Sequence, residues 1–208
     1  MTIAELRNEE HYIELLALRH DDIIPFVQDV FANRRPIIQL YIALNIALLL
    51  GLIIVGIWQA FQEVISGWTI LKYAGLGLTL GLLPLIPVHE WIHGLAYKFV
   101  GAPKVTYGAN LKKFYFYAVA DHFVVKSSEF RIIALAPFVI INILVIVATF
   151  FVSIEIQWFL LGVLLIHTAA CSSDFAMLSY YSRYKEEEIY TFDDVKGKIS
   201  YFYRKRIT

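Results

Sequence analysis

The chain has 208 residues, of which 59% are apolar and 17% charged, with a formal net charge of zero. Soluble domains run nearer about 45–50% apolar and about 25% charged, so the composition excludes an ordinary soluble domain, and the neutral balance offers no basic surface for nucleic acid. The lone cysteine, Cys171, excludes an intrachain disulfide and a cysteine-based metal cluster.

The first ten residues are charged and lack the basic-then-apolar order of a signal peptide. Insertion is therefore expected to depend on the first internal apolar segment. Residues 1–35 carry apolar series through Ile3, Leu6, Ile13, Leu15, Leu16 and Leu18, then Ile23 to Phe31. These predict one or two amphipathic helices at the cytoplasmic surface or packed against the bundle, the second capped by Asp21 and Asp22 with Pro25 in its first turn.

Four segments supply the ~20 apolar residues that a bilayer core of ~30 Å requires. They run over about 36–58, 70–100, 132–154 and 156–181. Residues 36–182 are thus read as one four-helix membrane domain and 183–208 as a cytoplasmic tail. The predicted class is an all-α polytopic membrane protein with a small interfacial β-hairpin. Basic residues cluster before the first span (Arg34, Arg35), between the second and third (Lys98, Lys104, Lys112, Lys113, Lys126, Arg131) and after the fourth (Arg183, Lys185 and beyond). By the positive-inside rule, both termini of this cell-membrane protein are expected in the cytoplasm.

Between the second and third spans, Lys104–Ala109 and Phe114–Val119 are rich in β-branched and aromatic residues. Turn-formers in 108–113 join them into the predicted hairpin. Ser127 or Ser128, followed by Glu129, is expected to cap the third helix.

The second span contains His89-Glu90-Trp91-Ile92-His93. Histidines four residues apart on a helix face the same way, so both imidazoles reach one Zn²⁺, while Glu90 is placed to touch the attacking water as general base. Titratable side chains in hydrocarbon are costly and need partners; the competing reading is a polar cluster that holds helices together. Pro84 and Pro87 ahead of the motif predict a kink that admits water.

A catalytic zinc site needs a third protein ligand. His89 lies nine residues before Lys98, and Asp174 nine before Arg183, so each sits ~14 Å of helix from the cytoplasmic end. On antiparallel helices the two meet at one level, which makes Asp174 the candidate; the alternative is a carboxylate that reaches the membrane surface. Asn142, ~16 Å deep, is either a donor to a developing oxyanion or an interhelical hydrogen-bond partner. His167, two turns before Asp174, either steadies the reaction intermediate, supports a ligand or packs. Cys171 is a core residue or a substitute ligand.

On Pro87-Val-His89-Glu90-Trp-Ile-His93-Gly94, Ala134-Leu-Ala-Pro137 with Asn142, and Ser172-Ser173-Asp174, the chain resembles a family of zincin-type membrane peptidases, and more broadly the site-2-protease intramembrane zinc metalloproteases. That resemblance, over roughly residues 70–182, implies zinc held by His89, His93 and Asp174, Glu90 as base, and strand pairing of substrate with the 104–120 hairpin. It departs from the site-2-protease pattern where Phe175 follows the aspartate, and in that no PDZ or CBS domain is expected from these residues. The expected function is hydrolysis of a membrane-bound or membrane-adjacent peptide near the cytoplasmic face. The alternatives are a metal-binding pseudoprotease that retains a membrane client uncut, and a metal carrier, for which no internal repeat speaks.

Overall fold

The computed structural model describes residues 1–110, 115–184 and 187–206. Three helical stretches are long and apolar enough to cross a membrane: Pro36–Phe61 (α3), Ser127–Thr149 (α6) and Ile154–Tyr184. A fourth crossing is available as a bent pair, Gly67–Leu80 (α4) and Leu82–Phe99 (α5), which meet at 48°. Leu40, Ile54, Leu71 and Leu144 are exposed on these helices, as suits surfaces solvated by lipid chains.

The expected kink falls earlier than the prolines. The bend lies at Gly81, Pro84 occupies the first turn of α5, and Pro87 is inside it. A first-turn N–H has no helical partner to lose, so Pro84 is tolerated there. The last crossing is also interrupted: α7 (Ile154–Ala170) and α8 (Ser172–Tyr181) are separated at Cys171. The third expected helix begins earlier and ends at Thr149, with Lys126 rather than a serine at its N-cap. The Glu129 carboxylate accepts from the Lys126 backbone N–H at 3.1 Å.

Helices α4 and α7 touch backbone to backbone. A Cβ on Gly77 would lie 2.0 Å from the Phe159 carbonyl oxygen, and one on Gly162 would lie 2.2 Å from that of Ala74. Only glycine permits this approach.

The all-α expectation is corrected by two sheets. One is the hairpin of β2 (Thr106–Asn110) and β3 (Tyr115–Val119), antiparallel with Thr106 opposite Val119 and Gly108 opposite Tyr117. Gly108 is thus a strand residue. Ala109 and Asn110 are strand residues as well; positions 111–113 of the expected turn, and Lys185 of the charge count, lie outside the described residues.

The second sheet was not expected. The N-terminal segment holds one short helix, α1 (Ile3–Leu6), then a strand, β1 (Tyr12–Arg19), where an amphipathic helix is predicted. Only α2 (Ile23–Ala32) follows the helical expectation. The expected tail forms β5 (Ile189–Asp194) and β6 (Ile199–Lys205). With β4 (Val125–Lys126) they make one antiparallel sheet in the order β1-β6-β5-β4. Chain from before α3, from between α5 and α6, and from after α8 is therefore joined in a single sheet.

That sheet has its own core, Leu18, Ile23, Tyr180, Tyr181, Ile189 and Phe202. Full burial of a side chain such as Ile189 or Phe202 contributes ~1.5–3 kcal/mol. The core ties the sheet to the end of α8 and so helps hold the start of that helix in place.

Asp193 on β5 accepts from the Ser200 hydroxyl at 2.5 Å, and has no cationic partner within 4 Å among the described residues. Burial, with the nearby Asp121 charge, raises its pKa to about 6. An acid whose pKa is raised by folding binds its proton more tightly in the folded state. Its ionisation then costs nothing below the unfolded value near pH ~4 and the full penalty above pH ~6. Asp193→Asn, which keeps an acceptor for Ser200, is expected to raise the thermal unfolding midpoint at pH 8 and to leave it unchanged at pH 4.

Candidate metal centre

Helix α5 carries His89, Glu90 and His93, and α8 carries Asp174 in its first turn. The break at Cys171 starts this new helix just before the aspartate. The chain thus brings together the three residues predicted as ligands. His89 Nε2 lies 3.4 Å from Asp174 Oδ2, His93 Nε2 lies 3.4 Å from Asp174 Oδ1, and the two Nε2 atoms are 3.1 Å apart. Asp174 Oδ2 is buried with no hydrogen-bond partner among the described residues.

These spacings match a metal site. Zinc bonds of ~2.0–2.1 Å in tetrahedral geometry place ligand atoms ~3.3 Å apart, and the measured separations are 3.1, 3.4 and 3.4 Å. Two imidazoles and a carboxylate form a borderline donor set suited to zinc. The residues present fit the ion.

The remaining predicted residues lie one layer out. His89 Nδ1 is 3.3 Å from His167 Nε2, and His167 Nδ1 is 2.7 Å from Asn142 Oδ1. The Asn142 Nδ2 amide donates to Thr168 Oγ1 at 3.1 Å. Both ends of the Asn142 amide are thus engaged inside the protein. Cys171 is fully buried, and its Sγ lies 3.9 Å from His167 Nε2. His89, His167 and Cys171 make a second group within reach of a common ion. That group would use His89 Nδ1 and has its sulfur 3.9 Å from His167 Nε2, whereas the Asp174 group uses His89 Nε2 with separations of 3.1–3.4 Å and is the better formed.

Glu90 lies half-buried beside these residues and shares a cavity lining with Ala118 of β3. Together with Phe116 it lines three adjoining cavities. One, of about 140 Å³, reaches His20, Asp193 and Ser200 of the sheet side. A second, of about 400 Å³, is apolar and lies between Leu85, Ile86, Ile166 and Ala170. The third, of about 610 Å³, lies under the hairpin at Pro87, Trp91 and Tyr107. Gly94, just after the second histidine, leaves room for the Tyr107 ring of the hairpin. A Cβ there would sit 1.9 Å from the Tyr107 hydroxyl.

Ile133, Ala118, Thr168 and Phe116 are site residues that sequence reasoning did not single out. Three of the four act through the backbone or as generic contacts, for which no side-chain signal exists. Thr168, one residue after His167, gave none above that of a polar residue in a span.

A partly buried and a buried histidine from one H-E-x-x-H turn, an aspartate from a second helix and an adjacent glutamate make a residue set of the kind zincins use. A model of the DUF3267 family, described as "Putative zincin peptidase", matches residues 82–189, more than half of the chain. The chain belongs to that family. No curated protein and no solved structure matches it.

Proposed function

We propose that this protein is a zinc-dependent peptidase embedded in the membrane, cutting a membrane-bound or membrane-adjacent peptide near the cytoplasmic face. The observation that carries this reading is the mutual spacing of His89 Nε2, His93 Nε2 and the Asp174 carboxylate, 3.1–3.4 Å, with Glu90 next to them. In this reading His89, His93 and Asp174 hold the metal. When bound, zinc polarises the scissile carbonyl and lowers the pKa of water at the site.

The chain's own residues account for the rest. Glu90 takes a proton from the attacking water as the oxygen adds to the carbonyl carbon, and delivers it to the amine as the C–N bond breaks. An extended peptide laid along the hairpin gains main-chain hydrogen bonds and passes Glu90, which the β3 strand adjoins. The apolar cavity beside Ile86 and Ile166 suits an apolar substrate side chain. This arrangement is close to the site-2-protease plan.

The cytoplasmic assignment draws on the basic residues around the 101–131 connection and both chain ends. It is supported by the sheet that unites those three segments on one side of the helices.

The test uses the full chain in detergent with quenched fluorescent peptides that bridge an apolar segment and its polar flank. Cleavage should stop when zinc is chelated and return when zinc is restored. A zinc-loaded protein that holds such peptides intact contradicts peptidase activity and establishes a client-binding protein instead.

A further inference from the structure

We infer that helix α6 fixes the proton positions of both metal-binding histidines, through a carbonyl freed by Pro137 and through an Asn142–His167 relay. The inference rests on the zinc reading above and concerns residues that reading leaves without a role.

An α-helix pairs each carbonyl with the N–H four residues later. Four residues after Ile133 stands Pro137, buried inside α6 and lacking an N–H. The Ile133 carbonyl therefore has no helical donor. His93 Nδ1 lies 2.9 Å from that oxygen. A carbonyl only accepts, so His93 carries its proton on Nδ1 and presents a bare Nε2 to Asp174.

His89 reaches the same state by a longer route. Asn142 donates through Nδ2 to Thr168, which turns its Oδ1 toward His167. That oxygen accepts the His167 Nδ1 proton, which leaves His167 Nε2 as an acceptor. The 3.3 Å contact then takes the His89 Nδ1 proton and leaves His89 Nε2 bare. His167 and Thr168 are almost completely buried, so no water competes for these bonds. Two Nε2 atoms and a carboxylate thus converge with their lone pairs directed at one point, an arrangement that a cation stabilises.

Pro137, Asn142 and His167 are positioning residues. They act on the metal through the histidines. The pairing also gives the proline a use: it weakens its own helix in order to supply an acceptor at one place.

The test measures zinc affinity of the full-length protein in detergent by competition with a chromogenic chelator, and the histidine tautomers of the zinc-loaded protein by ¹⁵N NMR. Asn142→Leu and Pro137→Ala should each weaken zinc binding by about 10–100-fold, the range for residues that support metal ligands. Asn142→Asp, which keeps the acceptor, should retain wild-type affinity. Pro137→Ala restores a helix bond, so its zinc-free form should be at least as heat-stable as wild type while binding zinc more weakly. A merely structural residue would not separate these two readouts. In wild type, both His89 and His93 should show a protonated Nδ1 and an unprotonated Nε2. Wild-type zinc affinity in both weakened variants, or a protonated Nε2 on either histidine, overturns the inference alone. A wild-type protein with no zinc affinity overturns the metal reading and the inference with it.

Discussion

Asp174→Ala protein is expected to purify without zinc from conditions that leave the wild type with one ion per chain. The reason is geometric. Asp174 faces both Nε2 atoms at 3.4 Å through its two oxygens, and no other described carboxylate shares that ligand group. Its removal leaves two imidazoles, one fewer protein ligand than catalytic zinc sites use. The loss should exceed the ~10–100-fold that a supporting residue costs. Equilibrium dialysis against buffered zinc, followed by elemental analysis, reads it directly. Undiminished zinc in this variant would transfer the third position to another donor, with Cys171 and His167 next in line.

Glu90→Gln is the complementary case. The substitution keeps size and removes the base, so zinc should stay at one per chain while cleavage falls by about 10²–10⁴-fold, the usual contribution of a positioned general base. The pair of variants separates holding the metal from using it. Asp174→Ala should lose both zinc and cleavage, whereas Glu90→Gln should lose cleavage alone. Equal cleavage by wild type and Glu90→Gln would remove Glu90 from the chemistry.

The site was more legible in the sequence than the fold around it. His89, Glu90 and His93 lie within one helical turn or so, and helical geometry alone determines how they face. Asp174 is 81 positions beyond His93, yet counting back from the flanking basic residues set it at the right level, because membrane thickness constrains both helices. That counting assumed unbroken spans. The breaks at Gly81 and Cys171 escaped it, since neither residue forbids a helix and packing against neighbours decides where the chain turns.

The four-stranded sheet was hidden for a different reason. β1 pairs with β6, placing Tyr12 opposite Lys205. Its apolar residues at Ile13, Leu15, Leu16 and Leu18 fit a helical period nearly as well as a strand with a bulge, and a bulge does interrupt β1 between Glu14 and Leu16. Nothing local distinguishes the two; the distant partner strand does. The role of Pro137 was likewise unreadable from the chain. A proline in a span announces a carbonyl without a donor four residues earlier, but only the packing of α5 against α6 reveals that His93 supplies one.

X-ray absorption at the zinc edge of the purified wild-type protein reads whether one zinc ion sits between His89, His93 and Asp174. The expected spectrum is that of a four-coordinate ion with only nitrogen and oxygen neighbours at ~2.0–2.1 Å and the outer-shell scattering of two imidazoles. A sulfur neighbour at ~2.3 Å, which would place Cys171 on the metal, or a single imidazole, would contradict it.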